Sequence, residues 1–271
     1  MKNTENKLQQ YYMTCGNYYD GLSQKNFDQW FSAYLSAFKT VQGVILDVGC
    51  GVGQVVNRLT DEGYYAVGVD ISPIGIRMAS RKGAGVFIVA SAAHLPFRDS
   101  SFAAAGFYDF LEHTYNPVTC LSEMVRVLES HGKFVALGPN FLCVVGLTRP
   151  YHWLMSGPKR KILNLHSLFK KTIMSRLSPQ RMCFEFIRPQ LNPDGRGGDE
   201  DAVCVTNPID IRFFLRRMRV EVVKESALPY HPKKFLVRMA ELPLIRSISS
   251  FSFVVGIKKP SSIDKARTKG K

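Results

Sequence analysis

A run of apolar residues that leads directly into three spaced glycines constrains this chain more than any other feature. Residues 44–54 read VILDVGCGVGQ, with glycine at positions 49, 51 and 53. Glycine adopts backbone angles that other residues avoid, and a glycine-rich turn lets a ligand approach the main chain. The pattern predicts a strand, a tight turn and then a helix, whose unpaired N–H groups favour an anionic group such as a pyrophosphate or a carboxylate.

The segments around this turn alternate between short strands and helices. We predict strands at 43–48, 64–69, 86–90, 103–108, 133–138, 219–228 and 251–260, and helices at 53–61, 73–82, 117–129 and 208–218. Such alternation is typical of an α/β protein with a parallel, doubly wound sheet and helices on both faces. Ligands of these sheets bind beside the carboxyl ends of the central strands.

Asp70 supplies a second indication of the ligand. It directly follows the second predicted strand, 21 residues after Gly49, where a carboxylate can accept hydrogen bonds from the hydroxyls of a ribose. Asp70 also fits a helix N-cap before Ser72 and Pro73. No Gly-Lys-Ser/Thr follows the glycines, which disfavours a nucleoside triphosphate, and their spacing departs by one residue from the GxGxxG of dinucleotide-binding proteins. An adenosine-containing cofactor is predicted, and these residues leave its class open.

The net charge of +14 is distributed unevenly over the 271 residues. Residues 1–140 hold 11 Lys+Arg and 12 Asp+Glu, whereas residues 141–271 hold 25 and 10. All the excess positive charge therefore lies in the second half, which we expect to face an acidic partner or an anionic surface.

The chain has no feature that predicts export or a membrane span. Its first residues, MKNTENKLQQYYMT, are polar, and the longest uncharged run, 134–148, is interrupted by Gly138 and Pro139. Six cysteines, at positions 15, 50, 120, 143, 183 and 204, form no CxxC pair and no metal-ligand spacing. We expect a cytoplasmic protein with reduced thiols and no metal site.

The regular alternation stops between 140 and 206. This region holds a basic helical stretch at 159–177 and a Gly/Pro/Asp-rich loop at 189–201. On a helical wheel Ile162, Leu165, Phe169 and Ile173 form one stripe, with Lys161, Lys170, Lys171 and Arg176 toward its sides. A second mixed stretch occupies 235–251, with Arg238, Pro243 and Arg246. Such segments either lie on an anionic membrane or cover an amphiphilic substrate, or they pack the apolar stripe on the sheet.

Four motifs occur in a recognisable order: VILDVGCGVG, AVGVDISP (66–73), AAHLPFRDSSF (92–102) followed by FYDFLEH (107–113), and SEMVRVLESHGKFVALGPN (122–140). In this order and at these separations they resemble the motifs of the class I S-adenosylmethionine-dependent methyltransferases. Within this family they are most similar to those of the type 11 subgroup. The resemblance covers residues 40–140, and the helix–strand–strand ending fits the final hairpin of the family more weakly. It implies a Rossmann-like, doubly wound, mostly parallel seven-stranded sheet.

The resemblance also implies a cofactor, S-adenosyl-L-methionine, and a role for particular residues. Asp47 and the turn from Gly49 through Gly51 to Gly53 would hold its methionine end. Asp70 would bind the ribose hydroxyls, with Ile71 against the adenine. Ser91 and Ala92 would border the adenine amino group, and Phe107 the methionine moiety. This sequence departs from the family at Ser91 and Ala103, where aspartate is usual, and at His131, where glycine is usual; these departures leave room for a weakened or non-catalytic site.

Three residues near the ends of the fourth and fifth strands are candidates for catalysis. An activated methyl group needs a nucleophile in line, and a base only if the acceptor must lose a proton. His113 and Glu112 are the nearest candidates for that base, and Asn140 for an orienting group. A histidine here also fits a structural cap, and Asn140 fits a turn. Four tyrosines, at positions 11, 12, 18 and 19, either cover the cofactor or only pack helices.

The acceptor is less constrained than the cofactor. An Asn/Asp-Pro-Pro-aromatic motif and a Pro-Cys nucleophile, usual in nucleobase methyltransferases, are both missing, since 107–110 read FYDF and no cysteine follows a proline. We expect a small or lipid-linked acceptor, methylated on oxygen or carbon, with peripheral contact to an anionic membrane. The alternatives are an RNA or protein acceptor for the basic half, an NAD(P)-dependent oxidoreductase, and a binding protein without catalysis. The oligomeric state is not predicted.

The predicted organisation has five parts. They are a helical cap at 1–40, the cofactor-binding core at 41–139, a basic insertion at 140–206 that encodes acceptor specificity, the final helix and strand pair at 207–260, and a basic tail at 261–271 that does not pack.

Overall fold

In a computed structural model of the protein, the residues described are 2–24, 29–144, 157–192, 194, 199–226 and 251–260. The predicted segment 235–251, except Phe251, and the predicted tail 261–271 lie outside these residues. The predicted strand 219–228 is described only as far as residue 226.

One seven-stranded sheet organises the molecule. Its strands are β1 (Ile45–Val48), β2 (Ala66–Asp70), β3 (Val86–Val89), β4 (Phe102–Tyr108), β5 (Leu128–Pro139), β8 (Val220–Ser226) and β9 (Phe251–Lys258); β6 (Glu185–Phe186) and β7 (Cys204–Val205) form a separate two-stranded ladder. The order across the sheet is β3-β2-β1-β4-β5-β9-β8. The first five strands are parallel, and β9 pairs antiparallel with both β5 and β8. The predicted fold class and the final antiparallel strand pair are confirmed.

Helices cover both faces of this sheet. They are α1 (Lys2–Thr14), α2 (Gly16–Ser23), α3 (Gln29–Ser36), α4 (Gln54–Asp61), α5 (Pro73–Ser80), α6 (Pro117–Val127), α7 (Pro158–Leu177) and α8 (Pro208–Arg217). Apolar residues of α6 and α8 pack on one face of the sheet, and those of α3 and α4 pack on the other. Because helices cover both faces of the central strands, all four residues of β1 are buried.

Helix starts follow local chemistry. The Ser72 hydroxyl accepts a hydrogen bond from the N–H of Gly75 at 3.1 Å, and Pro73 takes the first helical position of α5. Asn207 caps α8 in the same way, accepting from the N–H of Asp210 at 3.0 Å. Both caps satisfy N–H groups that the first helical turn leaves unpaired.

Two of the recognised motifs hold each other in place. The guanidinium of Arg126, in the RVL motif, donates to the carbonyl of Phe97 at 2.8 Å and to that of Leu95 at 3.1 Å, both in the LPF motif. Glu123 accepts from the N–H of Leu95 at 2.8 Å. These bonds fix the loop that leaves β3 against α6, so these motif residues position the backbone rather than act on a ligand.

Helix α7 confirms a predicted helix and decides between the orientations that the sequence left open. Its buried residues are Asn164, Leu168 and Lys171, whereas the apolar stripe that begins at Ile162 is exposed. Lys171, predicted at the side of the stripe, lies inside because Asp210 of α8 pairs with it at 2.9 Å. The alternative in which the stripe packs on the sheet is therefore wrong. None of the described helices is both long enough and apolar enough to cross a membrane.

Candidate active site

The glycine turn between β1 and α4 has a different role at each glycine. All three adopt left-handed φ angles, of 73° at Gly49, 53° at Gly51 and 76° at Gly53. A Cβ on Gly53 would lie 2.6 Å from that of Ala79, and one on Gly49 would overlap the ring of Phe110, whereas one on Gly51 would meet nothing closer than 3.5 Å. Gly49 and Gly51 line a cavity, and Gly53 does not. Gly53 was expected to touch the cofactor; it serves helix packing instead.

The cavity opens beside the carboxyl ends of the central strands and has a volume of about 1180 Å³. This exceeds the usual range of roughly 300–1,000 Å³ for a single small-ligand site. Three separate parts of the chain form it: helices α1 and α2, the loops after β1 to β4, and the insertion through Asp194 and Asp201. The size and the composite wall suit a cofactor together with an acceptor.

Asp70 lies at the end of β2 and faces the glycine turn. Its Oδ2 accepts from the N–H of Gly51 at 2.9 Å, and its Oδ1 accepts from the N–H of Ser72 at 2.8 Å. Burial raises the pKa of this carboxyl, and the hydrogen bonds from Ser72, Gly51 and Tyr19 act against that rise. A carboxylate oxygen has room for more than one hydrogen bond, so Asp70 can accept from ribose hydroxyls while the backbone fixes its orientation.

Asp47 is buried in β1 at the floor of the cavity. The Tyr34 hydroxyl donates to its Oδ1 at 3.0 Å. Burial raises the pKa of Asp47 to about 7; the bond from Tyr34 lowers it, and the nearby Asp70 raises it. Two carboxyls held close together out of water favour a cationic ligand between or above them.

The charge of the cavity wall is opposite to that of the chain. Its described lining includes seven acidic residues and neither a lysine nor an arginine; the acids are Glu5, Asp20, Asp47, Asp70, Asp109, Asp194 and Asp201. Tyr12, Tyr18, Tyr19, Tyr108 and Tyr115 add aromatic rings to the wall. Acidic groups and ring faces attract cations and repel phosphates. The wall therefore suits a sulfonium cofactor and disfavours a phosphate-bearing ligand.

The residues predicted to border the adenine follow β2 and β3. Ile71, Ser91 and Ala92 all line the cavity, as expected. The Ser91 hydroxyl accepts from the N–H of Ala93 at 3.3 Å, so it also shapes the turn that follows. Of the three departures from the family pattern, Ser91 lies on the cavity, whereas Ala103 packs near Gly43 and His131 lies in β5.

Phe107 is not placed where the sequence predicted. Its side chain is buried in the core, with ring centroids 6.1 Å from Phe110 and 6.2 Å from Phe134, and it does not line the cavity. Alternation along β4 turns Phe107 to the core, and the next residue, Tyr108, lines the cavity together with Asp109.

His113 lies in a cluster with two residues that are distant in sequence. The Tyr12 hydroxyl donates to Asp201 Oδ2 at 2.7 Å, and its oxygen is 3.0 Å from His113 Nδ1. His113 Nδ1 is also 3.3 Å from Asp201 Oδ2. Burial, followed by the charge of Asp201, raises the pKa of Tyr12, which keeps its proton. Since that proton is donated to Asp201, the hydrogen-bond pattern places a hydrogen on His113 Nδ1 and leaves the Nε2 lone pair to accept one.

The other two catalytic candidates lie outside the cavity wall. Glu112 is fully buried behind the ring, with Oε1 3.9 Å from His113 Nε2. Asn140 is buried at the end of β5, where its Oδ1 accepts from the N–H of Leu142 at 3.1 Å. Asn140 therefore shapes a turn, the second of its two sequence interpretations, and it does not line the cavity.

Two residues of the cluster were not found as site residues by sequence reasoning. Tyr12 was noted among the tyrosines as a cover for the cofactor, and it does line the cavity along with Tyr18 and Tyr19. Asp201 was assigned only to a loop. Its contact with His113 joins residues 88 positions apart, and no local pattern indicates such a pairing. Among the described residues, no group of three or more His, Cys, Asp or Glu could hold a metal ion.

Comparison with known families agrees with this geometry. The profile of the family described as "Methyltransferase domain" matches residues 46–136, the segment that contains the glycine turn, Asp70 and His113. Over this segment the chain is similar to a methyltransferase domain. The cofactor of these methyltransferases is S-adenosylmethionine, and the residues around the cavity fit it, because Gly51 lines the cavity beside the carboxylate of Asp70 and the wall is acidic.

Individual relatives match this chain over part of its length. An uncharacterized protein of Methanocaldococcus jannaschii is 29% identical over 168 residues, 61% of this chain and 64% of that protein. The demethylmenaquinone methyltransferase of Renibacterium salmoninarum is 32% identical over 118 residues, 43% of this chain and 50% of that enzyme. The chain thus spans 64% and 50% of the lengths of these two curated relatives.

A solved structure supports the fold over a greater length. The S-adenosylmethionine-dependent methyltransferase of Methanosarcina mazei superposes with a TM-score of 0.52 and 19% sequence identity, covering 88% of this chain and all of that one. At this identity the likeness establishes the fold alone.

Proposed function

We propose that this methyltransferase acts on an oxygen or carbon atom of a small or lipid-associated acceptor, with His113 accepting the proton that the acceptor loses. The observation that carries the proposal is the cluster of His113, Asp201 and Tyr12 in the same cavity as Asp70 and the glycine turn. When bound, S-adenosylmethionine supplies an activated methyl group on a positively charged sulfur.

The cluster has the arrangement that a general base needs. A ring held by Asp201 through Nδ1 keeps Nε2 available, and a hydroxyl or an acidic C–H must lose a proton as it becomes nucleophilic. After His113 takes that proton, the positive ring lies between the carboxylates of Asp201 and Glu112, 3.3 Å and 3.9 Å away. Asp201 and Tyr12 are positioning residues in this scheme, because they act through the ring.

The cavity wall supports an acceptor whose reacting end is neutral. Acidic residues and tyrosines line the cavity, with neither lysine nor arginine among its described residues, so a phosphate or carboxylate near the reacting atom would be repelled. The name of one relative, demethylmenaquinone methyltransferase, designates a neutral quinone acceptor. By analogy we propose a phenol- or quinone-like ring, and a lipid tail on such a ring would bring the chain to a membrane surface.

The acidic cavity wall also disfavours an RNA acceptor, which the basic second half of the chain suggested. An RNA carries a phosphate on every nucleotide, and its binding is dominated by lysine and arginine. The basic residues of the second half lie elsewhere than on the described cavity wall. RNA or protein methylation, NAD(P)-dependent oxidation and binding without catalysis remain as outcomes of the experiments.

The first experiment measures cofactor binding. Calorimetric titrations of the purified chain with S-adenosylmethionine, S-adenosylhomocysteine and NAD should give binding of the first two and none of NAD. Binding of NAD alone would establish an oxidoreductase, and binding of neither S-adenosylmethionine nor S-adenosylhomocysteine would indicate a lost site at Ser91.

The second experiment measures transfer. The chain is incubated with methyl-labelled S-adenosylmethionine and, separately, with phenols, hydroquinones, polyprenylated quinones and RNA. Label in a phenol or quinone supports the proposal, whereas label in RNA, or tight cofactor binding with no label in any arm, overturns it.

Variants then test the base. His113→Gln should lower kcat by roughly 10²–10⁴-fold without changing cofactor affinity. Asp201→Asn should lower kcat and shift its pH profile while the KM for the acceptor changes little. His94→Gln, an exposed histidine, is the matched control. Equal activity of His113→Gln and His94→Gln would exclude His113 as the base.

A further inference from the structure

Helix α7 presents an apolar face to solvent. Along this face Ile162 is 70% exposed, Leu165 51%, Phe169 66% and Ile173 40%. They follow the spacing of one stripe of a helix. Leu163 and Leu177, exposed by 56% and 78%, extend the apolar surface at its two ends. We call these six residues the apolar stripe of α7.

Specific contacts on the opposite face hold the helix in this orientation. Asn164 donates to the carbonyl of Cys143 at 2.9 Å. Lys171 donates to the carbonyl of Cys183 at 3.0 Å and pairs with Asp210 at 2.9 Å. Rotating the helix to bury the stripe would break all three contacts and leave Asp210 buried without its cation. The outward apolar face is therefore a fixed feature of the fold.

The charge of α7 is of one sign. The helix contains six lysine or arginine residues and no acidic residue. Lys171 is buried in its ion pair, while Lys159, Lys161, Lys170 and Arg176 are exposed on the helix surface around the stripe. The helix has 20 residues and is roughly 30 Å long, and its exposed charges lie in its first turn and in its second half.

We propose that α7 binds the surface of an anionic lipid bilayer, lying in the plane of the interface with the apolar stripe in the acyl boundary and the basic residues among the lipid headgroups. An exposed apolar stripe and a flanking cationic face are the two features that drive this mode of binding. The proposal goes beyond the methyl-transfer function and does not depend on it, since it concerns a surface outside the cavity wall.

Two other occupants fit less well. An RNA would neutralise the lysines but would leave the large apolar side chains in water, because its outer surface is phosphate and sugar. A second copy of the chain, pairing α7 with α7, would cover the stripe but would bring two sets of basic residues together with no acidic residue on either helix. An anionic bilayer satisfies both the charge and the apolar surface.

The test is co-sedimentation of the full chain with vesicles, without cofactor or acceptor. Vesicles of equal phosphatidylglycerol and phosphatidylcholine are compared with vesicles of phosphatidylcholine alone. We expect partition to the anionic vesicles, weakened by added salt. Lys161→Gln with Lys170→Gln should reduce the partition coefficient about 25-fold, since each cation contributes about fivefold near such a surface. Leu165→Gln with Phe169→Gln should reduce it about tenfold or more.

Matched controls come from exposed residues elsewhere. Lys82→Gln removes an exposed cation of the first half, and Val223→Gln replaces an exposed apolar residue of β8, 58% exposed. Both should leave partition unchanged. Circular dichroism verifies that each variant is folded, which is expected because the replaced side chains are exposed.

Three results would overturn the proposal. The first is no partition to anionic vesicles, or an equal loss in the control variants. The second is displacement of the chain from vesicles by an equimolar single-stranded RNA, which would assign the surface to nucleic acid. The third is a dimer at micromolar concentration that Leu165→Gln with Phe169→Gln converts to a monomer, which would assign the stripe to a second copy. Because the assay needs no turnover, failure here leaves the methyl-transfer proposal unaffected.

Discussion

At the residue scale, we expect Asp47 to couple cofactor binding to pH. Its carboxyl is buried in β1, and burial raises its pKa to about 7. The charged form is the one that can pair with the ammonium group at the methionine end of the cofactor. Protons and cofactor therefore compete for Asp47, and cofactor affinity should rise with pH up to about 7 and then level off.

The expected size of this effect follows from the position of the pKa. Affinity for S-adenosylhomocysteine should be about tenfold lower at pH 6 than at pH 8, as one group titrating near 7 requires. Isothermal titration at the two pH values measures it. Asp47→Asn should lower affinity and remove most of the dependence, and Tyr34→Phe should move the dependence to higher pH, because the Tyr34 hydroxyl lowers the pKa of Asp47. A parent chain that binds equally at both pH values would contradict this role.

His131 occupies a position in β5 where the backbone conformation favours glycine. The family usually has glycine at this position, and His131 adopts φ 64°, a left-handed conformation that costs a residue with a Cβ about 1–2 kcal/mol. Its side chain is exposed, so the cost is not offset by burial. This departure affects the backbone of β5 and not the cofactor.

His131→Gly should therefore stabilise the chain. We expect a gain of about 0.5–1 kcal/mol in the free energy of unfolding, after the larger loss of backbone entropy for glycine is subtracted. Urea denaturation measures it. His94→Gly, at an exposed position with no positive φ, should destabilise the chain. A loss of stability in both variants would mean that the His131 side chain makes a contribution larger than the strain.

At the scale of elements, the turn between β1 and α4 combines two functions in one motif. Gly53 allows α4 to approach Ala79 and Phe87, while Gly51 faces the cavity and donates to Asp70. The sequence predicts three equivalent glycines, and the structure separates them by their neighbours.

Alanine at these two glycines should separate the functions. Both substitutions strain a left-handed residue, but a Cβ at Gly53 also meets that of Ala79 at 2.6 Å. Gly53→Ala should cost about 3 kcal/mol or more in stability, from strain and overpacking together. Gly51→Ala should cost about 1–2 kcal/mol and weaken cofactor binding more. Thermal denaturation measures the loss of stability in both variants, and calorimetry measures their cofactor affinity. Equal stability losses would contradict the packing role of Gly53.

Helix α7 shows the limit of periodicity as a guide to packing. Its predicted extent, 159–177, agrees with Pro158–Leu177. The predicted stripe exists, but it faces solvent because the inner face is held by Asn164, Lys171 and partners on other elements. A hydrophobic pattern identifies a helix, whereas its orientation depends on residues elsewhere in the chain.

At the scale of the whole molecule, the buried ion pair of Lys171 and Asp210 joins the insertion to the final helix of the core. Burial alone lowers the pKa of Lys171, but Asp210 and Glu185 more than offset this, and the net pKa is raised. The ammonium therefore stays charged. Loss of one partner leaves the other charge buried and uncompensated.

Lys171→Met should accordingly lower the free energy of unfolding by about 3–5 kcal/mol. Combining it with Asp210→Asn should restore part of that loss, since no buried charge then remains. The matched control is Lys170→Met, on the exposed neighbour, which should change stability by less than about 0.5 kcal/mol. Urea denaturation of the three variants measures these differences. An equal effect at positions 170 and 171 would refute a structural role for the pair.

The sequence by itself determined the fold class and predicted nine cofactor-binding residues, seven of which line the cavity. These depend on local signals: the 44–54 turn, the strand–helix periodicity, and Asp70 at the end of a strand. Tertiary structure alone decided which of these residues reach the cavity. It turned Phe107 into the core, gave Gly53 and Asn140 local structural roles, brought Asp201 and Tyr12 to His113, and set the apolar stripe of α7 outward. The physical reason is that the contacts of Gly53, His113 and α7 join residues far apart in the chain, and the pairing of distant side chains leaves no periodic trace in either segment.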